Sequence, residues 1–293
     1  MSSEQPFFTE GVRAMFLSTL AFALANVFVK EVSHIPAMEV VFFRCSIATV
    51  FCFIGIYRAK ADWKGSSRKF LLLRGGFGTA ALFLFFTTLQ NIPLASAVTI
   101  QYLSPIFTSI IAIFILSEKM RAFQWLFYAL AFAGVLLVQK FDPRVSVFYL
   151  IIGICSAICS GFAYNFVRRL RGHEHPLTVV LHFQSIGAVA GFISLFFDWE
   201  TPSGYDWLWL FLIGVFSQLG QIFLTNALQK ERAASVSIIN YSGILYAFVI
   251  GWFIFGETFG LTTAAGMALV VSGVVLSVIY NNRRPATIEM EVT

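Results

Sequence analysis

Polar side chains at helical-turn spacing recur inside otherwise apolar stretches of this 293-residue chain. Gln101, Ser104 and Thr108 stand at i, i+3 and i+7, and Gln218, Gln221 and Thr225 repeat that spacing. Ser156, Ser160 and Tyr164 recur every fourth position, with Asn165 adjacent. On a helix such positions share one face. Amides, hydroxyls and phenols can hold a polar solute by hydrogen bonding, but they do not start a reaction. Catalysis would need clustered His for a metal, a nucleophile with its base, or paired carboxylates. The four His are scattered, and the HxH at His173 and His175 has no further ligands nearby. No catalytic residue, metal or cofactor is therefore assigned, and an enzyme is not expected. Arg44 is the one full charge read as lying well inside an apolar run, about 10 Å from its outer end at 1.5 Å per residue. It can meet a substrate carboxylate or phosphate, form an outer gate with Glu39, or snorkel outward and pair with Glu39 structurally.

The elements that must hold these residues are membrane spans. The chain is 58% hydrophobic and 12% charged and contains 34 Phe; a soluble domain would carry about 25% charged residues. Windows of about 20 residues with few charges fall at 12–31, 37–57, 70–90, 93–116, 121–138, 147–167, 177–197, 207–227, 233–255 and 260–281. In hydrocarbon the backbone must satisfy its own hydrogen bonds, so the spans are expected as helices. The fold class is an all-α polytopic membrane protein with ten transmembrane helices. Pro105 has no N–H for the carbonyl of Gln101, so Gln101 can offer an amide and a freed carbonyl at mid-membrane. Cys45, Cys52, Cys155 and Cys159 lie in spans and read as packing residues. Arg13 and the following apolar run imitate a signal peptide; the segment is instead read as a permanent helix, because the repeat below needs it.

With the N-terminus placed inside, sixteen Lys and Arg fall in inside loops and flanks, Arg74 among them, against three outside. This asymmetry orients both termini to the cytoplasm. The pI of about 9.1 thus reflects orientation, not nucleic-acid binding.

The segment 89–118 recurs at 228–257, with ten identities in thirty positions. The same shift of 139 residues lays 39–57 on 178–196 with seven identities in nineteen. It also lays Asn26 on Asn165, Lys30 on Arg169, Gly75 on Gly214 and Gly134 on Gly273. Residues 1–145 and 146–293 therefore read as two five-helix repeats. An odd span count inverts the second repeat, as in secondary transporters whose site lies at the midplane between the halves.

Ten spans as five plus five, "EVVFFR" opening the second, "LASAVTIQYLSPIFTSIIAIFILSEK" as the fourth and a Glu-terminated ninth resemble the drug/metabolite transporter superfamily, EamA type. The resemblance implies export or uptake of small metabolites by alternating access at a bacterial inner membrane. It also implies a cavity lined mainly by spans 1, 3, 4, 6, 8 and 9. The opening of span two is similar, too, to S-adenosylmethionine and riboflavin carriers.

The expected substrate-binding set is Asn26, Gln101, Tyr102, Ser104, Tyr164, Asn165, Gln218, Gln221, Asn240 and Tyr241, with Arg44 and Glu39 as gating or charge residues. The expected partners are a small-molecule substrate and the lipid bilayer, with no nucleic acid and the chain acting as a monomer. Amides, tyrosines and Phe with one Arg suit a neutral or zwitterionic, partly apolar solute such as an amino acid, moved outward. The alternative is import or exchange of a nucleotide-like metabolite or vitamin. Lys30 and Arg169 read as interfacial anchors, Glu118 and Glu257 as helix caps, and His182 as a hydrogen-bonded packing residue.

Overall fold

A computed structural model describes residues 10–116, 122–141, 144–230 and 242–283. Within them the regular structure is helical: α1 (Glu10–Glu31), α2 (Ala37–Ala59), α3 (Arg68–Asn91), α4 (Leu94–Gln101), α5 (Ser104–Ile115), α6 (Ala122–Phe141), α7 (Val147–Arg169), α8 (Pro176–Ser194), α9 (Asp206–Lys230), α10 (Ser242–Phe253) and α11 (Leu261–Arg283). Seven described segments are long and apolar enough to cross a membrane, with α4 and α5 together forming one of them. Shorter apolar stretches follow in α6, α10 and α11. Large apolar side chains such as Phe51, Phe114, Phe148, Phe192, Phe211 and Trp252 are exposed on the surface, as lipid contact requires. The chain is a multi-pass membrane protein.

Span four is not one helix. Pro105 sits in the first turn of α5 and cannot donate a hydrogen bond, and the chain breaks at Tyr102 and Leu103. The expected freed carbonyl at Gln101 therefore lies at a helix break, where the backbone ends of α4 and α5 meet.

Packing pairs helices distant in sequence: α1 lies on α9, α2 on α8, α3 on α7, α4 on α10 and α6 on α11. Glycines permit the closest crossing. A Cβ on Gly134 would fall 2.5 Å from the carbonyl oxygen of Gly266, and one on Gly273 would fall 2.6 Å from that of Phe127. Gly134 with Gly273, and Phe127 with Gly266, are pairs of positions 139 residues apart. Small residues at such crossings let helix backbones approach where lipid provides no hydrophobic drive.

Two carboxylates tie the ends of the bundle. Glu257 Oε1 accepts from Lys30 Nζ at 2.7 Å and from the backbone N–H of Leu94 at 2.8 Å, at the start of α4. Lys30 also donates to the Ile92 carbonyl at 3.0 Å. Glu174, between α7 and α8, accepts from the backbone N–H groups of Ser66 and Ser67 at 2.7 and 2.6 Å, just before α3. Glu257 therefore caps a helix 163 residues away, not the helix that follows it. Lys30 is a bonded element of that contact, not a plain interfacial anchor.

Candidate solute-binding cavity

The bundle holds a partly open cavity of about 160 Å³. Its walls come from α1, α2, α3, the α4–α5 break, α7, α8 and α9. Of the residues singled out from sequence, Asn26, Arg44, Gln101, Tyr102, Ser104, Ser160, Tyr164 and Gln221 line it. Asn240 and Tyr241 lie outside the described residues. Spans two and seven contribute Arg44 and Phe183, so the lining reaches beyond the helices that the resemblance implied.

The amide of Gln101 is held in place. Its Nε2 donates to Ser160 Oγ at 2.8 Å, and its Oε1 accepts from Ser156 Oγ at 2.9 Å. The Ala81 carbonyl of α3 lies 2.7 Å from the same Ser156 Oγ, so the single hydroxyl hydrogen is shared between the two acceptors. The two serines of α7 thus orient the glutamine at the helix break. Tyr102 projects across the break onto α10, where a Cβ on Gly243 would collide with its hydroxyl. A side chain at 243 would have to displace that phenol.

Three expected site residues lie elsewhere. Asn165 is fully buried and donates to the carbonyls of Thr108 (2.8 Å) and Gly161 (2.9 Å), fastening α7 to α5. Adjacent helical residues point roughly 100° apart, so Tyr164 reaches the cavity while Asn165 turns to the neighbouring helix. Gln218 donates to Cys52 Sγ at 2.9 Å and accepts from Gln184 Nε2 at 3.2 Å, joining α9 to α2 and α8 behind the cavity wall. Glu39 accepts from the Glu200 backbone N–H at 3.0 Å and makes no ion pair with Arg44. Five residues on a helix turn the side chain roughly 140° away, so the two face different neighbours. His182 lies against the Thr178 carbonyl of its own helix at 2.9 Å, a packing contact.

Arg74 was missed as a site residue. Sequence places it in a basic inside flank, but α3 begins at Arg68 and carries Arg74 nearly two turns into the bundle. Arg44 and Arg74 are each 3% exposed, and both line the cavity. The Arg74 guanidinium lies 4.4 Å from the centre of the Phe183 ring; that of Arg44 lies 5.7 Å from the same ring and 5.9 Å from Phe86. Among the described residues neither makes an ion pair, and the Nε of each has no hydrogen-bond partner. Among the described residues, no Asp or Glu lines the cavity. The run "RKFLLLR" contained the signal: an arginine six residues after a helix-opening arginine lies too deep to be a flank residue.

The chain matches the EamA-like transporter family twice, over residues 9–139 and 147–279. The chain belongs to that family. A pseudopaline exporter, CntI, of Pseudomonas aeruginosa is 31% identical to this EamA-family transporter over 271 residues, covering 91% of the chain and 95% of the exporter. Human solute carrier family 35 member G1 is 29% identical, with 89% and 77% covered. An S-adenosylmethionine uptake transporter of Rickettsia felis is 23% identical, with 94% of each covered. A solved crystal structure 14% identical in sequence superposes with a TM-score of 0.70 over 93% of this chain and 98% of its own, and so shares the fold.

Proposed function

We propose that this transporter moves a small metabolite across a bacterial inner membrane by alternating access, with export as the working direction and both termini in the cytoplasm. The moving bodies are two inverted five-helix halves, residues 1–145 and 146–293. The observation that carries the reading is the cavity itself, whose walls come from helices on both sides of that boundary. The helix pairing supports it. Shifting every helix of one half onto its counterpart exchanges the α1–α9 and α3–α7 contacts and returns α2–α8, α4–α10 and α6–α11 to themselves. A pseudo-two-fold axis in the membrane plane has this property. The broken α4–α5 helix at the cavity agrees with midplane solute sites built on discontinuous helices.

The solute is an amino-acid-type metabolite that offers a carboxylate to an arginine and an apolar part to the Phe lining. The relative named as an exporter is more similar to this chain than the one named for S-adenosylmethionine uptake, which favours export over the import reading. Alternating access is tested with Ser160→Cys in a background lacking the four native cysteines. A membrane-impermeant thiol reagent should label that cysteine from either face of sealed, oriented vesicles. Labelling from one face alone, across all ligand conditions, would remove the alternating mechanism.

A further inference from the structure

Buried guanidinium groups normally sit beside carboxylates, because an unpaired charge in a low-dielectric site is strongly disfavoured. Here two such groups share one cavity, one aromatic ring and no counter-ion among the described residues. Two like charges converging on Phe183 repel each other as well as losing solvation. The faces of Phe183 and Phe86 compensate only in part through cation–π attraction. A solute that carried two negative charges would relieve both costs when it bound.

We propose that the cavity takes an organic dianion, with one carboxylate on Arg44, the other on Arg74, and the connecting carbon chain against Phe183. Planar guanidinium forks suit carboxylates bidentately. The Phe183 ring that both arginines approach offers apolar contact to a carbon chain joining two carboxylates, contact that a compact inorganic ion cannot use. Gln101, locked by Ser156 and Ser160, supplies an oriented amide for a further polar group. This site is asymmetric, since the position 139 residues after Arg44 is Phe183 itself and the one after Arg74 is Ile213. The second charge also departs from the neutral or zwitterionic solute expected when only Arg44 was counted. An inside-negative membrane drives an anion outward without a coupled proton, so the charge and the export direction agree.

The inference rests on the cavity being the solute site, and the test separates the two. Purified protein is heated with straight-chain dicarboxylates of four to eight carbons, with pentanoate, with glutaramide and with cadaverine. The dicarboxylates should raise the melting temperature by mass action, and the monoacid, diamide and diamine should not. Arg44→Gln and Arg74→Gln should each lower dicarboxylate affinity by about 30-fold or more. Without ligand, each variant should melt about 2–4 °C higher than the parent, because it removes an uncompensated charge; a structural arginine would give a fall. A larger response to glutaramide or cadaverine, silence of every dicarboxylate, unchanged affinity in both variants, or a lower unliganded melting temperature in both would overturn the proposal. Dicarboxylates that bind but do not cross proteoliposomes would leave the site standing and remove the transport reading. Flux of a neutral solute that is indifferent to both variants would do the reverse.

Discussion

Two regions of the described structure draw positive charge away from water, and they treat it in opposite ways. At the end of α1, Lys30 meets Glu257 at 2.7 Å and the Ile92 carbonyl at 3.0 Å, and the same carboxylate caps α4. Every contact there links elements far apart in the chain. In the cavity, Arg44 and Arg74 are more deeply buried and have aromatic faces instead of acids. The chain can therefore provide a counter-charge where it holds helices together. Leaving two guanidiniums without one marks the place where the missing charge arrives with the solute.

The sharpest way to break this contrast is to neutralise each site and compare signs. The largest effect belongs to the cavity: Arg74→Gln should abolish measurable dicarboxylate protection while raising unliganded stability. At the helix-end pair the sign reverses. Glu257→Gln should destabilise the protein by about 2–3 kcal/mol, near the low end for breaking a buried pair, because Lys30 keeps 18% of its surface exposed. The variant leaves Lys30 without its acid and weakens the cap at Leu94. Its melting temperature should fall with or without ligand, whereas dicarboxylate affinity, measured below that temperature, should hold. If both variants shifted stability in the same direction, the distinction between paired and waiting charge would collapse.

Sequence made the spans legible because hydropathy is summed over about twenty residues and survives local error. It also flagged the freed carbonyl of Gln101, since Pro105 has no N–H to offer it, but not that span four divides there into two helices. Angular placement was harder. Gln218 and Gln221 share a stripe, yet Gln221 reaches the cavity and Gln218 bonds behind it to Cys52 and Gln184. A 60° difference in direction decides between them, and only the neighbouring helices define which direction is inward. Glu39 and Arg44 failed as a pair for the same reason. Arg74 was hidden by its neighbours, because charge counting assigns a basic residue near a basic loop to that loop.

A smaller effect tests how the neutral part of the cavity is held. Ser160→Ala removes one of two hydrogen bonds on Gln101, and such bonds between membrane helices average about 0.6 kcal/mol. Stability should change by about that amount. Dicarboxylate affinity should fall only a few-fold, far less than with either arginine variant, as read from the same thermal titration. A loss as large as that of Arg44→Gln would move the centre of recognition from charge to the amide.

The mildest test concerns the other carboxylate cap, which lies outside the spans. Burial raises the proton affinity of Glu174, but hydrogen bonds from Ser66 and Ser67 outweigh it and hold its carboxyl below the usual value of 4.5. A folded pKa below the unfolded one means that the stabilisation is fully present above about pH 4.5 and is lost as pH falls through the lower, folded value. The parent should therefore lose stability more steeply than Glu174→Gln on the acid limb, with the two curves converging at the lowest pH. Because the carboxylate is solvent-accessible, its contribution is small and salt weakens it. Acid limbs of equal steepness in the parent and Glu174→Gln would show that this cap adds nothing to stability.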